Sequence, residues 1–184
     1  EAGVHVYNKK MNFDNANAWR FINNRQNGFN GDGEAVSIAD ILFESNNVWF
    51  AVDEFVTYER PLFNIGGVYR YNRNNKWDRY DERFGLSGNG IFCLERTGNI
   101  IWAGVYTFDK NQKRENGKGI ALIDRTTGIA RQANLEEFGI RSNLITALHY
   151  DGHNIWIGTD RGLWAVQINN PFAVWSGMKR ATVR

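Results

Sequence analysis

The side chains best suited to recognising another molecule lie in two stretches, residues 53–66 (DEFVTYERPLFNIG) and 106–118 (YTFDKNQKRENGK). In the first, Phe55, Tyr58 and Phe63 sit among Asp53, Glu54, Glu59 and Arg60; in the second, Tyr106 and Phe108 sit among Asp109, Lys110, Lys113 and Arg114. Rings offer flat apolar surface, and charges of both signs beside them fix orientation, a combination suited to a protein partner or a small sugar-like ligand. The competing account folds the rings under their own loops as satellite clusters. Bond-making chemistry has fewer candidates. His149 and His153 are four apart but flank a strand-to-turn junction, so the helix-borne spacing of zinc ligands does not apply. The single cysteine, Cys93, lies between Phe92 and Leu94 with no histidine near it in sequence, which reads as buried packing and excludes an internal disulfide. Asp32 and Glu34 in the connection 23–34 (NNRQNGFNGDGE) lack the twelve-residue calcium-loop spacing with its closing Glu, so a turn is the simpler account. No catalytic residue, metal ligand or cofactor is assigned.

What positions these stretches is a repeat. Residues 144–165 read LITALHYDGHNIWIGTDRGLWA: an apolar strand, an Asp-Gly turn, a second strand with Ile155, Trp156 and Ile157, and a third from Leu163. A shift of 54 residues lays Ile145, Leu148, Gly152, Trp156 and Gly158 on Ile91, Leu94, Gly98, Trp102 and Gly104. A further shift of 53 lays Ile91, Leu94 and Trp102 on Ile38, Ile41 and Trp49. A unit of this length is a small sheet that cannot bury its faces alone and must pack on its neighbours. Trp49, Trp102 and Trp156 recur at one position of the second strand, as packing residues between units do. Trp19, Trp77 and Trp175 mark outer strands, and Trp164 is the freest of the seven.

Four strands per unit predict an all-β chain, a β-propeller segment of about three and a half blades. The divisions are a partial first blade over 1–22 with third and fourth strands only, blade two over 37–80, blade three over 90–133, blade four over 144–176, and a polar basic tail over 177–184. GVHVYN at 3–8 matches GVYRYN at 67–72, so the chain enters the first blade halfway. The fourth strand of blade four is expected over 172–176. Residues 53–66 and 106–118 fall between second and third strands, where they form long loops on one face of the disk, joined there by the 23–34 connection.

The pattern Asp-x-x-x-x-Trp-Ile-Gly-Thr followed by Gly-Leu, carried by Asp151, Trp156, Ile157, Gly158, Thr159, Gly162 and Leu163, resembles the two-component regulator propeller repeat. That repeat is found in large periplasmic sensor domains of bacterial hybrid histidine kinases and in other exported propellers. Upstream the match thins: Trp102 and Gly104 remain with Val105 in place of Thr, and blade two has Trp49, Phe50, Ala51 and Val52. NVWFAV at 47–52 also resembles the repeats of streptogramin lyase, whose histidine and glutamate constellation cannot be placed on this chain. The first resemblance implies a non-enzymatic ligand- or protein-binding module, periplasmic or extracellular; the content of the two loop stretches puts Asp53, Glu54, Phe55, Tyr58, Arg60, Tyr106, Phe108, Lys110 and Arg114 in its binding face. The second implies a lyase or hydrolase whose active site lies on the same face near the ring axis.

With 184 residues, 42% of them hydrophobic and 14% aromatic, the chain can bury a core. A net charge of +2 from 22 basic and 20 acidic side chains does not point to nucleic acid. The tail 177–184 reads as a solvated end, and no apolar run is long enough to span a membrane. Three and a half blades do not close a ring, so the expected partners include the remaining blades of the same protein or a second copy.

Overall fold

The computed structural model describes residues 3–25, 28–29, 33–72, 74–168 and 182–183. Among them all extended structure is antiparallel. Sheet one pairs β1 (Val4–Tyr7) with β2 (Trp19–Ile22). Sheet two runs β3 (Ile38–Phe43), β4 (Asn47–Phe55), β5 (Asn64–Asn72) and β6 (Lys76–Tyr80) in sequence order. Sheet three does the same with β7 (Gly90–Thr97), β8 (Ile100–Asp109), β9 (Arg114–Asp124) and β10 (Ala130–Gln132). Sheet four follows with β11 (Ile145–Tyr150), β12 (Asn154–Thr159), β13 (Gly162–Gln167) and β14 (Thr182–Val183).

The second strands of sheets two and three, β4 and β8, read as unbroken apolar runs because both of their faces are covered. Side chains alternate, so one strand serves two neighbours. On β4, Phe50 and Val52 enter the cluster shared with Ile22 and Phe29, whereas Trp49 and Ala51 enter the cluster shared with Ile91, Leu94 and Ile101 of sheet three. On β8, Ile101, Ala103 and Val105 face sheet two while Trp102 faces Ile145, Ile155 and Ile157 of sheet four. Each core cluster therefore lies between two sheets. Trp164 belongs to the sheet-three/sheet-four cluster at 8% exposure, so the indole that the sequence leaves freest is packed.

The copies repeat finer detail than composition shows. Every first strand carries a register break one residue wide, between Ile38 and Asp40, Ile91 and Cys93, and Ile145 and Ala147. Such bulges tighten local twist. The indole N–H of each repeated tryptophan donates to a side chain five residues earlier in the preceding turn, Trp49 to Glu44 at 3.0 Å, Trp102 to Thr97 at 2.7 Å and Trp156 to Asp151 at 2.7 Å. Adjacent sheets are also tied by backbone donors. Leu94 N–H reaches the Asp40 carboxylate and Tyr150 N–H the Glu95 carboxylate, both at 2.8 Å. Gly67 N–H donates to the Asn89 carbonyl at 2.6 Å and Gly119 N–H to the Asn143 carbonyl at 2.7 Å. Gly66 has φ +69° and its backbone abuts that same Asn89 carbonyl, so any Cβ there would collide.

Two expectations need amendment. Stretches 53–66 and 106–118 are not irregular loops, because β4 and β5 extend the ladder through Glu54↔Ile65 and Phe55↔Asn64, and β8 and β9 extend it through Asp109↔Arg114. They are hairpins rising from their sheets. The fourth strand of sheet four is Thr182–Val183, within the stretch read as a polar tail, paired with Trp164 and Ala165. The expected strand at 172–176, with Trp175, lies outside the described residues.

Candidate functional site

The two hairpins stand side by side and are latched at their bases. Asp53 and Tyr106 are one repeat apart in sequence and meet across the junction of sheets two and three. The Tyr106 hydroxyl accepts from Glu54 N–H at 3.1 Å and lies 3.3 Å from both the Asp53 carboxylate and the Glu54 carbonyl, to which its single proton can go. Asp53 also accepts from the Ser37 hydroxyl at 2.7 Å. Glu54 reaches over to accept Phe108 N–H at 2.7 Å. Burial raises the Glu54 carboxyl above its ordinary range, and the Phe108 N–H offsets part of that rise. Burial likewise pushes the Tyr106 phenol up, and the Asp53 charge beside it adds to the shift.

Higher on the hairpins the contacts become exposed. Phe55 packs on Phe108 with ring centroids 4.7 Å apart and on Phe63 at 6.1 Å, a satellite cluster above the sheets. The Tyr58 hydroxyl donates to the Asn111 side chain at 2.8 Å, joining the tips. Asp109 closes the shorter tip by accepting Asn111 and Gln112 N–H groups, which hold its carboxyl below the usual range. Glu34 lies against the same face: its N–H donates to the Leu62 carbonyl, and its carboxylate pairs with Arg60 at 2.6 Å. The Arg60 guanidinium in turn covers the Phe63 ring at 3.7 Å. Asp32 lies outside the described residues.

The nine residues singled out for binding thus divide by depth. Asp53, Glu54 and Tyr106 point into the latch, to which Phe108 gives its backbone N–H while its buried ring packs on Phe55. Phe55, Tyr58, Arg60 and Arg114 are exposed and Lys110 is half-buried, so these present the surface. Leu62, exposed at 61%, along with Glu34 and Asn111, belongs to this patch and was not among the nine. A signal for Asn111 was available, since it follows Tyr58 by 53 residues, one repeat.

Elsewhere, chemistry-bearing groups are scattered. Burial pushes the Cys93 thiol up to about 12, with its sulfur 3.9 Å from the Ile145 carbonyl, so it is a packing residue rather than a thiolate. His149 lies 3.5 Å from Glu95, His153 contacts Gln167 at 2.8 Å, and His5 packs on Phe21. Among the described residues, no three His, Cys, Asp or Glu side chains converge as metal ligands would, and no helix is long and apolar enough to cross a membrane.

No protein-family model matches the chain, and no curated protein matches it. Solved structures do. The extracellular domain of BT3049 from B. thetaiotaomicron, described as a hybrid two component system, aligns over 99% of this chain with a TM-score of 0.60 at 13% identity. The extracellular domain of BT4673 from B. thetaiotaomicron, described in one structure as a hybrid two component system and in another as a one component system, aligns over 81% and 79% of the chain, with TM-scores of 0.51 and 0.50 at 21% identity. The chain spans between 16% and 21% of the length of those domains. At these identities the likeness is one of fold: tandem antiparallel sheets shared with extracellular domains of bacterial signalling proteins.

Proposed function

We propose that the chain is a segment of a larger β-propeller and acts as a non-enzymatic binding module of the kind used in extracellular sensor domains. The observation that carries this reading is the pair of latched hairpins. Tyr106, Asp53 and Glu54 fix two adjacent hairpins to each other, and the fixed tips expose Phe55, Tyr58 and Leu62 beside Glu59, Arg60 and Arg114. A rigid aromatic patch rimmed by both charge signs suits a small sugar-like ligand or a partner protein, because little conformational freedom is lost on binding. The likeness to extracellular domains of two component systems supports the class of module and an extracellular or periplasmic setting.

The test is a thermal-shift series against neutral and acidic oligosaccharides, using the full chain and a Phe55→Ala/Tyr58→Ala variant. A ligand that raises the midpoint of the parent but not of the variant supports the reading. A ligand that stabilises both equally places binding elsewhere and removes the patch from consideration. The second reading, a lyase or hydrolase with its active site on the same face near the ring axis, has one acid–base contact to draw on, His149–Glu95, and that contact lies on first strands at the ends away from the hairpins, opposite Trp156 and Trp102. Glu95 is already engaged by Tyr150 N–H at 2.8 Å, which suits a structural tie better than a base. Turnover abolished by His149→Ala would reverse that judgement.

A further inference from the structure

β6 is the outer strand of sheet two and, among the described residues, pairs only with β5. Sheet two holds all four strands, so this edge belongs to the sheet itself. The direction of its backbone groups follows from sheet three. There the Ala133 N–H donates to the Ile120 carbonyl, and Ile120 stands opposite Gly104 as Val68 stands opposite Ala51. Val68 and, by alternation, Arg70 therefore carry the ladder to Tyr80 and Asp78, which turns the Trp77 amide and carbonyl to the outer edge.

Along that edge runs a trough of about 700 Å³ between sheets two and three. Trp77, Asp78, Arg79 and Tyr80 all line it, residues of both strand faces, so it follows the backbone edge of β6 rather than one side of the sheet. Tyr80, 5% exposed, is its floor, and a Cβ on Gly128 of the β9–β10 turn would touch that ring at 3.4 Å. Phe84 and Ile129, one from each sheet's side, line it as well and are 51% and 55% exposed. Three arginines, Arg70, Arg79 and Arg83, line it against Asp78 alone. With the buried Asp81 that pairs with Arg79 and Arg83 counted in, a positive charge remains in excess, and Arg83 presents it with its side chain 74% exposed.

We propose that this trough is a docking site for an extended acidic peptide, which pairs with β6 at Trp77 and adds a further strand to sheet two. A backbone edge offers its donor and acceptor in line, and a peptide backbone matches that spacing. The apolar side chains of the peptide settle by Phe84 and Ile129 above the Tyr80 floor, and its carboxylates lie toward Arg83. Two copies of this edge repel through the excess positive charge that each carries, which protects it from self-pairing, whereas an acidic strand is drawn in. The inference uses neither the latched hairpins nor the surface at their tips, so it and the binding reading above can fail separately.

The test titrates the full chain with a fluorescent hexapeptide of alternating Glu and Val. Expected are saturable binding by anisotropy, weakened by added salt, and slowed amide exchange at Trp77, the Asp78 and Tyr80 amides being protected by β5 beforehand. The same peptide with Lys in place of each Glu should bind about tenfold more weakly or worse. Ile129→Asp should weaken binding about tenfold, as loss of one buried aliphatic contact does, and Arg83→Gln about threefold. Both side chains are exposed and Asp81 keeps Arg79 in the second variant, so both should fold. Absence of saturable binding overturns the proposal. So does equal binding of the lysine peptide, protection confined to strands other than β6, or binding indifferent to both substitutions. Self-association of the chain that itself protects Trp77 assigns the edge to a second copy and overturns it too.

Discussion

The face that sheet three turns toward sheet four and the face that sheet four turns outward carry the same residues in the same register. Trp102 and Gly104 on β8 lie opposite Leu122 and Ile120; Trp156 and Gly158 on β12 lie opposite Ala165 and Leu163. Both indoles donate 2.7 Å hydrogen bonds into the preceding turn. Their surroundings differ. Trp102 is 2% exposed and Ile120 fully buried, while Trp156 is half-buried and Leu163 is 48% exposed. Each unit thus builds its packing face locally, with strand pairing and the indole hydrogen bond, and stability arrives only when another sheet covers it. That separation of local form from burial is what a tandem architecture requires.

The sharpest way to break the comparison is to truncate the paired indoles. Trp102→Ala should cost about 3–5 kcal/mol in urea unfolding, the range for removing a fully buried large aromatic. Trp156→Ala in the same chain should cost about 1 kcal/mol, chiefly its hydrogen bond to Asp151 and partial burial. Equal costs would mean that the two faces are not equivalent sites with and without a neighbour. Because Asp151 accepts from Asn154 N–H, the Trp156 indole and His153 N–H, its carboxyl is held below the ordinary value of 3.8. Its contribution is present above that value and fades as pH falls, so the Trp156→Ala penalty should shrink in acid.

A smaller effect sharpens the same contrast. A Cβ on Gly104 would sit 2.8 Å from both the Cys93 sulfur and the Ile145 carbonyl, the latter backbone of the neighbouring sheet. On Gly158 it would meet only Ala147, at 3.2 Å for Cβ. Gly104→Ala should therefore cost about 1–3 kcal/mol as overpacking does, and Gly158→Ala about 0.5 kcal/mol or less. Thermal unfolding of the two variants side by side decides it.

How much of this was legible in the sequence follows from the same separation. The start of the third unit at Gly90 and the repeated tryptophans were readable, because they depend on local patterning that each copy restates. The hairpin extensions were not. Glu54, Phe55, Phe108 and Asp109 alternate poorly and are ordered by partners one repeat away, namely Tyr106 for Glu54 and Phe55 for Phe108, so no single window contains the cause. The same holds for the candidate surface: its aromatic and charged residue types were readable, but which of them turn inward depends on pairings such as Asp53 with Tyr106. The burial of Trp164 was hidden because its neighbours in the cluster, Ile100 and Trp102 among them, belong to another sheet.

The latch between sheets two and three offers the next contrast, a junction held by polar groups as well as apolar ones. Tyr106→Phe keeps the ring stacked on Phe92 at 4.1 Å and removes only the hydroxyl, leaving Glu54 N–H and one Asp53 oxygen without it. A loss of about 1–2 kcal/mol is expected by chemical denaturation. A neutral result would show that water replaces the hydroxyl and that the hairpins are not rigidly joined.

The smallest expected effect concerns Glu54, and its sign is opposite to that of Asp151. The Glu54 carboxyl is raised from 4.5, burial being the largest cause, so the folded protein favours the protonated form. A raised acid contributes stability that is fully present below the unfolded value of 4.5 and is lost as pH rises through the folded value. Gln at this position keeps an acceptor for Phe108 N–H and never ionises. Glu54→Gln should therefore match the parent near pH 4 and gain on it as pH rises through the folded value. If the two unfolding profiles run parallel across that window, the carboxylate is solvated in solution and the latch opens more readily than its geometry implies.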